Sequence, residues 1–474
     1  MRSMMRLSLL SFALFLLALL VPSTARSAVV YVNDDAAGPV RNGNSWATAY
    51  RAIPEALETA ASGDEVWVAE GTYDGGIVLK EGVALLGGFA GDEAGPEQRD
   101  ARDPSAHLTV LDGSSSAVVA TIVTAPLGIT PATVLDGFTL RTGSRGVFCD
   151  GSSPTIRRNA ITGIVYNAIV CRQTGLSASA PVIEDNTIAD NARGIYGDER
   201  SAPVIRRNRI LRNGKDEVAF EGGGMFFASG AKPVISGNLI AENRAWLGAG
   251  LYAGSGVLTV ANNVFARNQG IGLYAIKTGL QETSLIANNT FVENTGAGLR
   301  LDASPAVVAN NIFAYNSTGF HALLAIEIVA PPALRNNDAF GNAQNYTGIA
   351  DPTGADGNIS AAPLFVDRAA GDYHLGPASP CIDAGDDGVV GPEWRDIDGQ
   401  DRLMGPHVDI GADEFAQGVG YSLMDAARAM RVAAGLREAT PDELGRWNVV
   451  TDDTPESLEI RDTVRLARLA AGTD

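Results

Sequence analysis

The chain has 474 residues, of which 45% are hydrophobic, 19% are charged and 54 are glycines. It is too long for one ordinary compact domain, and its composition is too apolar for a disordered chain. Its formal net charge is −19, whereas binding to nucleic acid requires a concentrated basic surface. The composition therefore argues against a nucleic-acid partner and favours a protein with many short strands and tight turns.

Residues 1–27 have the pattern of a signal peptide. Arg2 and Arg6 precede an apolar run over 7–21, and small residues follow it. A membrane anchor is the alternative interpretation, but the run is shorter than the ~20 residues that a spanning helix needs. We therefore predict cleavage before Val29 and a secreted or cell-surface protein. Loss of residues 1–27 removes three arginines and no acids, which makes the net charge −22.

The residues after this signal predict one helix and then a series of strands. The stretch 46–62, WATAYRAIPEALETAAS, has alanines and leucines on one helical face. We expect this helix to cap the open end of the structure and to protect the first strand edges. Strand-like runs follow in DEVWVAEGTY, GVALLGGF, TVLDG and TVLDGFTL.

A repeated phrase decides the predicted architecture. It consists of a β-branched pair, two polar residues, an asparagine and another apolar pair, as in TIRRNAI, VIRRNRI and LIANNTF. The aligned asparagines are Asn159, Asn186, Asn208, Asn238, Asn263, Asn289, Asn311 and Asn337. They recur every 22 to 30 residues, which is the length of one solenoid coil. We expect them to take left-handed backbone at tight turns and to form a hydrogen-bonded ladder inside the wall.

Three cysteines in an exported chain do not form a disulfide framework. Cys149 and Cys171 fall at equivalent positions of adjacent coils. We predict that both side chains point inward at the ~4.8 Å coil spacing and are not bonded to each other.

Two stretches outside the repeats resemble known proteins. The run YVNDDAAGPVRNGNSWATAY, then GDEVWVAEGTY, GGFAGDE and TVLDG, resembles the entry region of bacterial right-handed β-helix proteins of the pectin-lyase-like superfamily. The run GDYHLGPASPCIDAGD, then DIDGQDR and DIGADE, is similar to their closing segment. One departure is APLF at 362–365, where that family usually has DPLF.

The resemblance covers residues 28–415 and implies an all-β fold. It implies a right-handed single-stranded parallel β-helix over 28–345, with the N-terminal capping helix, and a closing segment over 346–415. The superfamily includes lyases, glycosidases, esterases and inert adhesins, so the fold alone does not assign an activity.

Residues 416–474 change character. The segments 423–435 and 460–472 match each other, and each has an aspartate at a predicted helix start, Asp425 or Asp462, and ends with a glycine. They resemble a dockerin-type repeat pair, which implies a small α-helical C-terminal module with calcium loops and a cohesin-like or cell-surface protein as partner. The candidate calcium ligands that remain in the second loop are Asp453, Glu459 and Asp462. A plain two-helix hairpin is the alternative, because a calcium site needs six or more oxygens.

Alternate residues of a strand point outward, and aligned coils therefore predict an outward row. The candidate substrate-binding residues in it are Phe148, Tyr196, Phe226, Tyr252, Tyr274, Arg300 and His321. Aromatic faces bind sugar rings, and a long row follows a linear polymer. The alternative is that aromatic residues simply suit strand surfaces and stack on each other.

A second outward row, two residues further along each strand, contains the candidate catalytic residues Asp150, Arg172 and Asp198. Two carboxylates at 6.5–9.5 Å are needed for inverting hydrolysis, whereas a lyase uses acids to hold calcium and a basic residue to remove a proton. An ion-pair ladder on the sheet surface is the non-catalytic alternative. The polygalacturonase motifs NTD, GHG and RIK are absent, as are a phosphate loop, CxxC and HExxH, which argues against nucleotide and zinc chemistry.

Two functions remain open from the sequence. The first is a carbohydrate-active protein, a lyase or a glycosidase, that binds or processes an extracellular or cell-wall polysaccharide. The second is a non-catalytic surface or adhesion solenoid that binds a glycan or a protein. Calcium is the cofactor that the acidic composition and the tail suggest.

Overall fold

The computed structural model describes residues 27–115, 121–214, 221–276, 283–324 and 330–415. Nearly all of the predicted signal peptide and the whole predicted helix pair at 416–474 lie outside these residues. The chain divides into two compact units, residues 1–191 with 201–203 and residues 192–200 with 204–474. Each unit is built from parallel strands in three sheets, which we call faces 1, 2 and 3 in the order in which the chain visits them.

The first unit contains short strands that pair in parallel from coil to coil. Its face 1 consists of β1 (Val29–Val32), β2 (Glu65–Ala69), β5 (Ala84–Phe89), β8 (Val134–Asp136), β11 (Thr155–Arg157) and β14 (Val182–Glu184). Its face 2 consists of β3 (Gly71–Asp74), β6 (Thr109–Asp112), β9 (Phe138–Arg141), β12 (Ala160–Thr162) and β15 (Thr187–Ala189). Its face 3 consists of β4 (Ile77–Val78), β7 (Thr121–Ala125), β10 (Arg145–Asp150) and β13 (Asn167–Arg172).

The second unit repeats this arrangement. Its face 1 consists of β17 (Val204–Arg206), β20 (Val234–Ser236), β23 (Thr259–Ala261), β26 (Ser284–Ala287), β29 (Ala306–Ala309) and β32 (Ala333–Arg335). Its face 2 consists of β18 (Arg209–Leu211), β21 (Leu239–Ala241), β24 (Val264–Ala266), β27 (Thr290–Val292), β30 (Ile312–Ala314) and β33 (Asp338–Phe340). Its face 3 consists of β16 (Ile195–Gly197), β19 (Met225–Phe227), β22 (Leu251–Ala253), β25 (Leu273–Ile276), β28 (Ala297–Asp302), β31 (Thr318–Leu323) and β34 (Gln344–Thr347). Each circuit of the chain adds one strand to each face, so the unit is a parallel β-helix.

The predicted helix near the start is real but shorter than expected. Helix α1 spans Ile53–Thr59 and begins next to Pro54, a residue that suits the first helical turn. The preceding residues form only a 3-10 turn at Trp46–Thr48, because Tyr50 pairs with Val32 as a β-bridge. The capping role of this helix stays a prediction. Among the described residues, no helix has the length and apolar character needed to span a membrane.

Alternation along the strands builds the core. The second residue of most face 2 strands points inward and is buried, and in three successive coils of the second unit it is a phenylalanine. Phe265, Phe291 and Phe313 are fully buried and lie opposite each other in register. Their ring centroids are 4.8 and 5.2 Å apart with nearly parallel planes. This continuous aromatic stack fills the interior of the second unit.

The predicted asparagine ladder is present at the corner between faces 1 and 2. In the second unit, the Asn238 side-chain oxygen accepts from the backbone N–H of Asn208, and the same bond links Asn263 to Asn238 and Asn289 to Asn263. The expected left-handed backbone is one residue earlier, however. The positive φ angles fall on the residues that precede the ladder, such as Asn262 at 59° and Asn288 at 55°. The ladder asparagine itself must point inward, so its neighbour makes the turn.

A second ladder, at the corner between faces 2 and 3, was not predicted. Its members in the second unit are Asn213, Asn243, Asn268, Asn294, Asn316 and Asn342, joined by side-chain to backbone hydrogen bonds of 2.8–3.1 Å. The sequence signal was the asparagine that follows each face 2 strand of the second unit by two residues. Both corners are therefore held by buried amides with full hydrogen bonding.

The closing segment, residues 346–415, runs along the outside of face 2 in the second unit. It contains an antiparallel pair, β35 (Phe365–Asp367) and β36 (Asp372–Leu375), and a 3-10 turn at Asp387–Val389. Tyr373 and Ala412 pack against the outward residues of β24 and β27, and Leu375 and Cys381 pack against those of β30. The segment thus covers apolar side chains that a bare sheet would expose.

Asp338 anchors this segment and gives a pH prediction. It is fully buried, its Oδ1 accepts from the Ala361 N–H at 2.9 Å, and burial raises its pKa to about 7. Its unfolded pKa is about 3.9, so the folded carboxyl is neutral below pH 7, and stability falls as pH rises from about 4 to about 7 and is level above that. We expect Asp338→Asn to be more stable than the parent by about 4 kcal/mol at pH 8 and by about 1–2 kcal/mol at pH 5 in urea unfolding.

The control for this prediction is Asp74→Asn, an exposed aspartate on a face 2 strand of the first unit. This variant should follow the parent at both pH values. A stability advantage of Asp338→Asn over the parent that does not grow between pH 5 and pH 8 would show that the buried carboxyl does not ionise with a penalty.

Candidate functional site

The predicted outward row lies in register on face 3 of the second unit. Tyr196 pairs with Phe226, Phe226 with Tyr252, and Tyr252 with Tyr274. The row continues to Arg300 and His321 on the next two strands, and to Thr347 beyond them. The strand residues on either side of each member are inward and buried. Strand parity therefore placed the row correctly, and all of its members except Tyr274 are partly exposed.

The aromatic rings of the row stack on one another. The rings of Tyr196 and Phe226 are 5.3 Å apart, those of Phe226 and Tyr252 are 5.2 Å apart, and both pairs are within 8° of parallel. Arg193 adds a guanidinium 5.2 Å from the Phe226 centroid. Both faces of Phe226 are thus covered by neighbouring rings, so Phe226 presents its ring edge, rather than an open ring face, to solvent. Tyr252 and Tyr274 meet edge to face instead, at 75°.

Tyr274, Arg300 and Asp302 form a compact charged group at the end of this stack. The Tyr274 hydroxyl donates to Asp302 Oδ2 at 2.6 Å, and the Arg300 guanidinium donates to both oxygens of Asp302 at 2.8 and 2.9 Å. Arg300 Cζ also lies 4.9 Å from the Tyr274 ring centroid. Burial and the bond to Asp302 raise the pKa of Tyr274 far above its usual range, so the phenol stays protonated.

His321 follows Arg300 in the row. Its Nδ1 lies 2.7 Å from Thr347 Oγ1, which fixes the ring on the next strand. Burial, and then the positive charge of Arg300, lower the pKa of His321 below its ordinary value of 6.5. The imidazole is therefore neutral at pH 7 and able to accept a proton or a hydrogen bond.

The first unit holds three of the other predicted site residues, Phe148, Asp150 and Arg172. The Arg172 side chain donates to Asp150 Oδ1 at 2.9 Å, and the Thr174 hydroxyl donates to the same oxygen. Burial would raise the pKa of Asp150, but these two bonds outweigh it and lower the pKa below the usual value. Arg172 also lies 4.8 Å from the Phe148 ring centroid. Asp150 is thus a paired, ionised carboxylate and is poorly suited to act as a general acid near neutral pH.

Asp198 lies in the second unit, in the outward row two residues beyond Tyr196. In register along that row, the next strands carry Ala228, Gly254 and Ile276 before Asp302 is reached. Four strand spacings place Asp198 and Asp302 about 19 Å apart, which is too far for the two carboxylates of a glycosidase.

The cysteine prediction is confirmed. Cys149 and Cys171 lie opposite each other on β10 and β13, are fully buried and are not bonded. Burial raises the pKa of the Cys171 thiol to about 12, so neither thiol is set up as a nucleophile. The candidate metal ligands Asp453, Glu459 and Asp462 lie outside the described residues.

Sequence reasoning missed two residues of the site. Asp302 lies in the second outward row by strand register, but its bonds to Tyr274 and Arg300 were not expected. Arg193 was not considered, because it lies in the corner before β16 and reaches the rings from the side; its guanidinium donates to the carbonyls of Glu221 and Gly222. The basic residue three positions before Tyr196 was the available signal.

Comparison with known proteins supports the architecture. A family model described as right handed beta helix region matches residues 132–281. The chain folds as a right-handed parallel β-helix. A second family model, described as periplasmic copper-binding protein (NosD), matches residues 215–348. No curated protein matches the sequence.

Solved structures with the same kind of fold are similar to this chain at low identity. Pectate lyase Pel9A is 13% identical over 82% of this chain and 96% of that chain, with a TM-score of 0.47. The catalytic unit of a GH87 alpha-1,3-glucanase from Streptomyces thermodiastaticus is 16% identical over 72% and 69%, with a TM-score of 0.42. The A-module of the Azotobacter vinelandii mannuronan C-5 epimerase AlgE4 is 15% identical over 70% and 100%, with a TM-score of 0.36. At such scores, no activity is carried over to this chain.

Proposed function

We propose that this protein binds an extracellular or cell-wall polysaccharide along the outward row of the second unit. The proposal rests on the row from Tyr196 to His321, which places aromatic edges, phenols, a guanidinium and an imidazole on six successive coils. Five steps of ~4.8 Å give a length of about 24 Å. A surface of this length suits an extended polymer better than a small molecule.

The stacked rings determine how the sugar is held. Their faces are occupied by each other, so a sugar ring contacts ring edges and hydrogen-bonds to the hydroxyls of Tyr196 and Tyr252. Arg300 and His321 supply further polar groups at one end. Sugars offer hydroxyls and apolar C–H groups together, and a mixed aromatic and polar surface matches both.

The carboxylates favour binding over hydrolysis. The carboxylate oxygens of Asp302 already accept hydrogen bonds from Tyr274 and Arg300. The other carboxylate of the same row, Asp198, is about 19 Å away by strand spacing. Asp150 is neutralised by Arg172. A glycosidase requires a second carboxyl at a defined short distance, so a non-hydrolytic glycan-binding solenoid is the better supported function.

One observation favours a second candidate, a lyase acting on an acidic polysaccharide. His321 is held neutral next to Arg300. A neutral imidazole can remove a proton from a sugar carbon, and a nearby guanidinium can stabilise the negative charge of the sugar carboxylate.

The family described as copper-binding supplies no third candidate. Copper sites use His, Cys and Met ligands, but residues 215–348 contain one histidine, one methionine and no cysteine. Met225 is fully buried and points inward. Export through residues 1–27, and docking to a cohesin-like or surface partner with calcium through residues 416–474, remain part of the proposal.

We expect the double variant Tyr196→Phe with Tyr252→Phe to bind polysaccharide about tenfold more weakly than the parent, because two hydroxyls worth roughly 0.7 kcal/mol each are removed. The ring stack is kept, so the fold should be unchanged. Affinity electrophoresis in gels containing neutral and acidic polysaccharides measures the effect for the mature protein. Tyr166→Phe is the matched control, since Tyr166 is an exposed tyrosine away from the row.

His321→Asn separates the two candidates when the gels are combined with an ultraviolet absorbance assay on the same polysaccharides. His321→Asn in a binding protein should change affinity only slightly, whereas in a lyase it should abolish the ultraviolet absorbance of the unsaturated product. Equal binding by the parent and the double tyrosine variant, with the parent binding some polysaccharide, would place the glycan elsewhere. Failure of the parent to bind any polysaccharide in the panel would contradict the proposal as a whole.

A further inference from the structure

His374, Asp398 and Asp413 come together in the closing segment, outside the outward row. His374 lies on β36, Asp398 lies in the tight turn 396–400, and Asp413 lies near the end of the described chain. One ligand atom from each of the three lies within 4.8 Å of the others. The three residues are separated by 24 and 15 residues in the sequence, so they do not form a short sequence motif.

The geometry points to a divalent transition-metal site, and we propose that these three side chains bind a Zn²⁺-class ion. The Nε2 of His374 is the central observation. This atom is buried and has no well-aligned hydrogen bond within the described part of the chain, and the nearest carboxylate oxygen, Asp398 Oδ2, lies 3.3 Å away at ion-pair distance. Ligands at 2.0–2.2 Å around a tetrahedral ion are separated by about 3.4 Å. The spacing therefore suits two ligands of one ion.

The other ring nitrogen has the partner that metal-binding histidines have. His374 Nδ1 lies 2.5 Å from Asp372 Oδ1. A carboxylate at this position fixes the tautomer and the ring orientation, and it increases the basicity of the nitrogen that faces the ion. The histidine is thus held with Nε2 directed at the two aspartates.

The aspartates are also fixed by the backbone. Asp413 is buried, and its Oδ2 accepts from the N–H of Leu375, the residue next to His374, at 2.7 Å. The N–H of Asp398 donates to Asp396 Oδ1 at 3.0 Å, which holds the turn. The ligand positions therefore do not depend on mobile side chains alone.

Ligand type and exposure define the class of ion. Imidazole nitrogen with carboxylate oxygens suits zinc and its neighbours, whereas calcium prefers oxygen alone. Asp413 is buried but Asp398 is exposed, so one side of the ion faces solvent. Three protein ligands with an open position leave room for water. A protonated His374 that bridges the aspartates is the competing arrangement.

The test is titration of tag-free mature protein with Zn²⁺ in a calorimeter, with Ca²⁺ in a parallel run. We expect one zinc per chain in the micromolar range, weakened at least about tenfold by His374→Gln and by Asp398→Asn, and to a similar extent by Asp372→Asn. His407→Asn is the matched control. His407 is an exposed histidine paired with Asp387 at 3.0 Å, and this variant should bind as the parent does.

Far-UV circular dichroism checks that each variant is folded, and Asp398→Asn is the safer variant because its side chain is exposed. Zinc binding that survives both His374→Gln and Asp398→Asn would place the ion elsewhere and overturn the proposal. Absence of zinc binding up to about a hundred times the expected concentration, or tighter binding of calcium at the same residues, would do so as well.

Discussion

Replacement of Asn263 by alanine should lower the free energy of unfolding by about 3–4 kcal/mol, since several buried polar groups lose their partners at once. The Asn263 amide donates to the carbonyls of Ile235 and Ala261 and to Asn289 Oδ1 at 2.8–3.0 Å. Its oxygen accepts from the backbone and the side chain of Asn238, both at 2.9 Å. Alanine satisfies none of these groups.

Urea unfolding followed by circular dichroism measures this loss, with Asn42→Ala as the control. Asn42 is an exposed asparagine that accepts a single backbone hydrogen bond, so its loss should change stability by less than about 1 kcal/mol. Polysaccharide binding by the folded fraction of Asn263→Ala should be retained, because the ladder lies at the corner between faces 1 and 2, whereas the outward row lies on face 3. Loss of binding with unchanged stability would mean that the asparagine has a functional role.

The features that depend on strand parity, namely which side chains point inward or outward and which lie opposite each other, could be predicted from the sequence. One phrase per coil was enough to place Asn263 on a ladder, Cys149 opposite Cys171, and Tyr252 opposite Phe226, because parallel in-register coils repeat every position. The turn residue was misplaced by one, since the repeated phrase contains two adjacent polar positions. Only the backbone shows that Asn262 has the positive φ and that Asn263 points inward.

The chemistry of the sites was less predictable, because it depends on side-chain directions and on segments distant in sequence. Parity shows that Tyr196 and Phe226 point outward, but it does not show that their rings lie face to face. The second outward row does not reveal that Asp302 bonds to Tyr274. No sequence pattern indicated His374, and its neighbours Asp398 and Asp413 reach it only through the path of the closing segment.

The two aromatic stacks of the second unit allow a comparison of buried and surface rings. Phe291 lies in the middle of an inward stack between Phe265 and Phe313. Phe226 lies in the middle of an outward stack with almost the same ring separations. The two phenylalanines therefore differ mainly in burial, since Phe291 is fully buried and Phe226 is partly exposed.

We expect Phe291→Ala to destabilise the protein by about 3–5 kcal/mol, because a ring-sized cavity opens in a closed core that cannot collapse. Phe226→Ala should cost only about 1 kcal/mol, the value of aromatic contacts at a surface that water can refill. Urea unfolding of both variants under one set of conditions gives the difference directly. Equal losses would mean that the outward stack is itself part of the core, and the row could then not be the surface that binds polysaccharide.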